Sequence, residues 1–249
     1  MDCCVLEHPY QSGRHDDGAP LRPGGDELTE LACIHAEFGA GQRVLDLGCG
    51  VGVGTRQLQT RGCVAFGLDR APQRLAMARR SVPGLPGLPG LPGLPAVAGD
   101  GRRLPFADGC FDGILAECVY SLIGYQATHF AECARVLRPG GRLALTDLYA
   151  RAREAMDQRA GGGASGCLSG MTTRAAILAA LADAGLSVGT WQDHTPLLKS
   201  FVAQQILNGQ GGEALWAGDG PAAAAALRAR RPGYFLLVAH KPERTSAHE

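Results

Sequence analysis

Arg43–Thr55 reads RVLDLGCGVGVGT: a short apolar segment, Val44-Leu45-Asp46-Leu47, running straight into glycines at 48, 50, 52 and 54. Glycines at this spacing remove each Cβ where the backbone must turn sharply into a helix and pass close to a ligand. The helix beyond them begins with backbone N–H groups that have no partner inside the helix. The run therefore reads as a strand, a turn and a helix that cradle a small molecule, and its neighbours narrow down which one.

Asp46 stands before the first glycine, where a pyrophosphate would meet repulsion, and no Lys-Ser/Thr pair follows the glycines as a P-loop requires. A second apolar segment, Cys63–Leu68, ends at Asp69, the usual position for an acid that holds ribose hydroxyls. A third, Ala96–Ala98, leads into Gly99-Asp100-Gly101. Acids at three successive strand ends suit a cationic, ribose-bearing ligand better than an anionic one. S-adenosyl-L-methionine, with a sulfonium, an ammonium and an adenosine, has that chemistry.

Four stretches in order, VLDLGCGVG, GLDRAPQRLAMAR, GDGRRLPFADGCFDGILAECVYSL and FAECARVLRPGGRLALTDLY, resemble the motifs of class I S-adenosylmethionine-dependent methyltransferases of the type 11-like group. The resemblance spans roughly Arg43 to Tyr149, and the order of its motifs makes it more specific than a lone glycine pattern. It implies that Asp46, Gly48, Gly50 and Gly52 hold the methionine portion of the cofactor, with Cys49 inside the same cofactor-binding turn. Asp69 would take the ribose hydroxyls, Asp100-Gly101 would lie beside the adenine, and Arg70 and Glu117 would belong to the same cofactor site. A nicotinamide-binding domain with an unusual first turn is the competing reading, but LRPGG followed by a strand is not expected there.

With 249 residues the chain is long enough for one α/β domain with a sizeable core. Its 24 basic and 24 acidic residues balance, which gives no electrostatic footprint for nucleic acid or a membrane surface. No stretch approaches the roughly 20 apolar residues that span a bilayer. The opening MDCCVLEHPYQSGRHDDG carries early acids and lacks the apolar segment of a signal peptide, so a cytoplasmic location is expected.

Residues 1–24 read as a flexible arm able to fold over the site, and 25–249 as a single methyltransferase domain with its core at 43–149. Asp26–Phe38 has helical apolar spacing and stops at Gly39. Strands and helices then alternate, the pattern of a Rossmann-like doubly wound α/β fold with a mostly parallel sheet, seven-stranded on the family resemblance. The expected strands continue with Phe111–Ala116, Leu143–Leu148, Leu186–Trp191 and Tyr234–Ala239. Helices are expected over Ala127–Leu137, stopped by Pro139-Gly140-Gly141, and over Thr172–Ala184. Residues 197–230 are helical in composition and read as a cap over the ligand mouth. Residues 84–95 are four Gly-Leu-Pro triplets, too few for a collagen-like association and read instead as a polyproline-like surface loop.

Nine cysteines without a CxxC pair give neither a zinc signature nor, in a cytosolic chain, a disulfide framework. Cys33, Cys63 and Cys133 fall on apolar faces, as small core residues do. Cys118, just after the fourth strand in ECVYSL, and Cys167, in GGGASGCLSGMT before a helix, both belong to the carboxyl side of the sheet. Soft thiolates select soft centres. The two positions resemble those of arsenite methyltransferases, and the resemblance implies that Cys118 and Cys167 hold trivalent arsenic for methylation, with Cys3-Cys4 as further thiols. The chain departs from that family in having Glu117 where an Asn usually stands.

An oxygen or nitrogen acceptor would often need a general base, for which Glu117, Asp147, His129 and His194 are the candidates. Tyr120, Tyr125 and Trp191 line either a pocket or the core. Three functions follow: methylation of a thiophilic small molecule, methylation of an oxygen, nitrogen or carbon of a metabolite with the cysteines merely packed, and a non-catalytic module that binds the cofactor.

Overall fold

Every central strand of this chain is apolar on both faces, which forces the sheet to be covered twice. Successive residues divide cleanly. Leu45, Ile114, Leu143, Leu145, Phe235 and Leu237 join one apolar cluster, while Val44, Leu115, Ala144, Tyr234 and Leu236 join the opposite one. The computed structural model describes residues 22–81, 94–152, 170–208 and 229–243. The arm up to residue 21, most of the Gly-Leu-Pro loop and Cys3, Cys4 and Cys167 lie outside the described residues.

Among the described residues the order is α1 (Gly25–His35), β1 (Arg43–Leu47), α2 (Val53–Thr60), β2 (Val64–Asp69), α3 (Pro72–Ser81), β3 (Ala96–Ala98), β4 (Phe111–Glu117), α4 (Tyr120–Ile123), α5 (Ala127–Val136), β5 (Leu137–Ala150), α6 (Arg174–Asp183), β6 (Ser187–Asp193), α7 (Thr195–Leu207) and β7 (Pro232–His240). The strands form one seven-stranded sheet in the order β3-β2-β1-β4-β5-β7-β6. β1 to β5 run parallel, whereas β7 is antiparallel to both of its neighbours. Leu28 and Cys33 of α1, Leu58 of α2 and Leu198 of α7 pack on one face. Phe130 and Cys133 of α5 and Ile177 and Leu181 of α6 pack on the other.

The sheet matches the expected class, with three local differences. β5 starts at Leu137 and not at Leu143, because Leu137 pairs with Phe111 before residues 138–141 leave the ladder and Arg142 resumes opposite Gly113. Gly140, at φ +75°, makes that excursion possible. The short helix α4, which no periodicity signals, begins two residues after Cys118, with Val119 as its N-cap. Residues 197–207 of the expected cap lie in α7, and 209–228 lie outside the described residues. Among the described residues no helix is long and apolar enough to cross a membrane.

Candidate functional site

The parallel strands deliver their carboxyl ends to one edge, and the order reverses between β1 and β4, where such sheets open a crevice for ligands. The glycine turn after β1 sits at this point. Gly48 and Gly50 hold φ of +74° and +52°, a conformation that side-chain-bearing residues rarely adopt. A Cβ on Gly48 would fall 2.5 Å from Val119 Cγ2, so the turn is pressed against the start of α4. Around Gly50, by contrast, the space where a Cβ would stand is open.

The amides of the turn are spent inside the protein. Gly48 and Cys49 N–H both donate to Leu68 O, at 2.7 and 3.0 Å. Gly52 N–H donates to Cys49 O at 2.8 Å, and Gly50 N–H to Asp69 Oδ2 at 2.9 Å. A turn with these donors consumed offers no nest for a phosphate, which agrees with the exclusion of a pyrophosphate ligand. The Cys49 thiol points away from the ligand side: it is buried with Leu75, Ala78, Leu94 and Ala96, so only the backbone of this residue can serve a site.

Carboxylates gather where the turn meets the sheet. Asp46, 3 % exposed, accepts from Thr55 Oγ1 at 2.6 Å. Burial, reinforced by the charge of Glu117 and opposed by the Thr55 hydroxyl and by Arg22, pushes its pKa up to about 7. Asp46 Oδ2 and Glu117 Oε2 each lie 3.1 Å from where a Cβ on Gly54 would stand, so both acids crowd the first turn of α2, where the helix dipole favours negative charge. Glu117 is tied to two groups from the other end of the chain. Arg22 Nε donates to Oε1 at 3.1 Å, Arg22 Nη2 pairs with Oε2 at 3.1 Å, and Thr29 Oγ1 donates to Oε1 at 2.6 Å.

Asp69, at the end of β2, accepts from Gly50 N–H and from Ala71 N–H at 2.8 Å, which locks the glycine turn to the second strand and leaves acceptor capacity on both oxygens. Asp100 is half exposed and paired with Arg102, whose guanidinium and backbone N–H hold its pKa down to about 2. Arg70 is exposed and adds its field at Asp100. Gly101 faces Leu47 Cδ1 and Ile123 Cδ1, so an apolar wall adjoins this acid. Arg135 braces the segment from behind by donating to Leu104 O, Phe106 O, Asp108 and Glu132.

Cys118 occupies the turn between β4 and α4 with φ +54°, a strained value for a non-glycine residue. Its thiol and the Tyr234 hydroxyl hydrogen-bond at 3.0 Å, and its N–H donates to Thr146 O. Burial pushes the Tyr234 hydroxyl pKa well up. Like Glu117, held by Arg22 and Thr29, the other expected general bases are engaged within the protein. Asp147 is fully buried and accepts from Ser121 N–H and Leu148 N–H, which fixes α4, and burial raises its pKa to about 6. His129 Nδ1 bonds Gly124 O at 2.9 Å, and His194 pairs with Gln192. Tyr120 and Tyr125 stack with each other in the core, Tyr120 lies over Phe130, and Trp191 lies on Phe235 at 4.3 Å.

The structure thus brings Asp46, Gly48, Gly50, Gly52, Asp69, Glu117 and Cys118 to one edge, with Asp100-Gly101 beside them. Arg22 and Thr29 are the residues that sequence reading passed over. The description "Methyltransferase domain" belongs to the family that matches residues 45–145. The methyltransferase GfsG of Streptomyces halstedii is 36% identical over 135 residues, 53% of this chain and 47% of that protein. A demethylmenaquinone methyltransferase of Corynebacterium kroppenstedtii is 37% identical over 108 residues, 43% of this chain and 42% of that protein. The chain matches about half the length of these curated relatives. Among solved structures, the [4+2]-cyclase SpnF superposes with a TM-score of 0.68 at 24% identity, covering 96% of this chain and 89% of that one. Geranyl diphosphate C-methyltransferase of Streptomyces coelicolor A3(2) gives 0.68 at 18% identity, covering 86% and 79%.

Proposed function

Because this chain carries the core of a class I methyltransferase, we propose that it transfers the methyl group of S-adenosyl-L-methionine to a small-molecule acceptor. The observation that supports this most is the glycine turn whose amides are consumed internally while Asp46, Asp69 and Glu117 surround it. Such a site repels phosphate and attracts a cation, and the open space at Gly50 is the kind of cradle the donor would fill. Residues 25–249 form, on this reading, one methyltransferase domain behind an arm of residues 1–24.

Bound there, the donor supplies a sulfonium-activated methyl group, the chemically demanding part of the reaction. The chain's residues bind and orient. Asp46 and Glu117 set a negative field for the cationic end, Asp69 takes ribose hydroxyls on its remaining lone pairs, and Asp100 takes the adenine edge beside the Leu47–Ile123 wall. Alignment of acceptor and methyl is worth up to about 7–11 kcal/mol and requires no protein nucleophile.

A relative named for demethylmenaquinone and a neighbour named for geranyl diphosphate favour an organic metabolite methylated at oxygen, nitrogen or carbon. A thiophilic acceptor such as trivalent arsenic is the second reading, supported by the half-buried Cys118 beside Glu117 at the same edge. A purified sample incubated with methyl-labelled donor and a panel of quinols, prenyl compounds, thiols and arsenite tests both. Label on arsenite that disappears in Cys118→Ser and Cys167→Ser supports the thiol reading, and label on an organic acceptor that survives both changes supports the first. SpnF, a cyclase, shares this fold, so donor binding without label on any acceptor would overturn the methyl-transfer proposal.

A further inference from the structure

We propose that Arg151, Arg174 and Arg231 form an oxyanion site at the carboxyl edge of β5, where they hold a phosphate or carboxylate group of the methyl acceptor, an assignment that rests on the methyl-transfer reading above. The three come from distant parts of the chain, and the register of the sheet assembles them. Ala150, the last residue of β5, pairs with Pro232, the first of β7, and forms an isolated parallel bridge with Thr173. One step beyond Ala150, Arg151 therefore stands between Arg231 on one flank and Arg174 on the other. Arg151 N–H and Arg151 Nε both donate to Arg231 O at 3.3 Å. The Arg174 guanidinium lies over the Trp191 ring, 5.0 Å from its centroid, a cation–π contact that holds the charge in place.

Each part of this arrangement is unfavourable by itself. Like charges at neighbouring register positions repel. Arg174 opens α6, whose first turn carries no acid, and a cation there opposes the helix dipole. Arg231 holds φ +49°, a strained value for a residue with a side chain. All three residues are exposed, and among the described residues no ion pair joins any of them to an acid. Asp193, the acid on which Arg151 acts, is already engaged: its Oδ2 accepts from Tyr149 Oη and its Oδ1 from Thr195 N–H, each at 2.7 Å. An oxyanion offsets all three costs together. It screens the three cations from one another, complements the dipole at the start of α6, and accepts the paired N–H donors of the guanidinium forks. The same side of the sheet thus carries a cation-seeking turn at β1 and an anion-seeking cluster at β5, and the acceptor that suits it is an organic molecule held by a charged end.

Calorimetric titration of the full chain with inorganic diphosphate and with malonate tests the site and separates phosphate from carboxylate recognition. The wild type should bind a single diphosphate or malonate per chain, with an affinity that falls about tenfold as salt rises from roughly 0.02 to 0.2 M. Arg151→Gln and Arg174→Gln should each weaken that binding about tenfold or more, the range of a charge-assisted hydrogen bond. Arg138→Gln, at the opposite edge of the sheet beside Asp112, should change it by less than about twofold. The acceptor role is read with methyl-labelled donor: label should fall on acceptors that bear phosphate or carboxylate, and Arg151→Gln should raise their KM about tenfold with kcat within about twofold. The wild-type titration needs no variant, so a misfolded variant does not remove the test. Failure of the wild type to bind either anion overturns the assignment and leaves the methyl-transfer reading intact. Equal weakening by Arg138→Gln shows a diffuse attraction, and label on a neutral acceptor whose KM Arg151→Gln leaves unchanged shows a different acceptor site, so each overturns it as well. Absence of label on every acceptor overturns the methyl-transfer reading itself, and this assignment with it.

Discussion

Along β1, β2 and β4 the carboxyl edge carries Asp46, Asp69 and Glu117 around a glycine turn, whereas along β5, β7 and β6 the same edge carries Tyr149, Tyr234, Phe235 and Trp191. Here Tyr149 Oη donates to Asp193 at 2.7 Å, the Tyr149 ring meets Trp191 and Phe235 edge to face while those two stack, and Tyr234 hydrogen-bonds Cys118 across the boundary. One side is made by backbone conformation and buried charge, with its residues close in sequence. The other is assembled from side chains of strands far apart, mostly beyond the residues 45–145 that match the methyltransferase domain. On the proposed function, donor recognition belongs to the first side and the acceptor to the second.

The comparison is most severely tested at Gly48. Gly48→Val places a branched side chain at φ +74° against Val119, and donor affinity should fall more than about a hundredfold, with a loss of roughly 3 kcal/mol in stability read by denaturant titration. Donor binding at the wild-type level would show that the turn is not the donor cradle. Asp69→Ala should weaken donor binding about ten- to a hundredfold by calorimetry, because it removes the acceptor for Gly50 N–H together with the proposed ribose contact.

A smaller effect is expected from pH. Asp46 titrates near pH 7 in the folded protein, above its ordinary value of 3.8, so the fold favours its protonated form. The stability this confers is full below the ordinary carboxylate pKa and is lost as pH rises from there to about 7. A cationic donor favours the ionised form, so affinity should rise about five- to tenfold between roughly pH 6 and pH 8, with proton release on binding. Asp46→Asn should flatten that profile. Least affected is donor binding in Cys118→Ser, where serine keeps a hydrogen bond to Tyr234 and the donor Kd should change by less than about twofold. A large change there would merge the two regions.

The half proposed to hold the donor was legible because its signals are local. Glycines that need positive φ, and acids at the ends of apolar runs, announce themselves within a dozen residues. The other half was less so. Strand positions at Ser187–Asp193 and Pro232–His240 follow from apolar runs, but nothing in those runs states that β7 inserts antiparallel between β5 and β6. Nor does the sequence show that the Cys49 thiol turns into the core, that Asp147 is consumed in fixing α4, or that Arg22 is paired with Glu117.

Sequence alone determined the fold class, the glycine turn and the acids that surround it, since steric restriction of φ and the alternation of apolar residues act between near neighbours in the chain. Tertiary structure decided which of those acids are buried, which pKa values move, and which cation meets Glu117. Charge and burial depend on distance in space, and only the order of strands in the sheet sets how close residues 22 and 117 come.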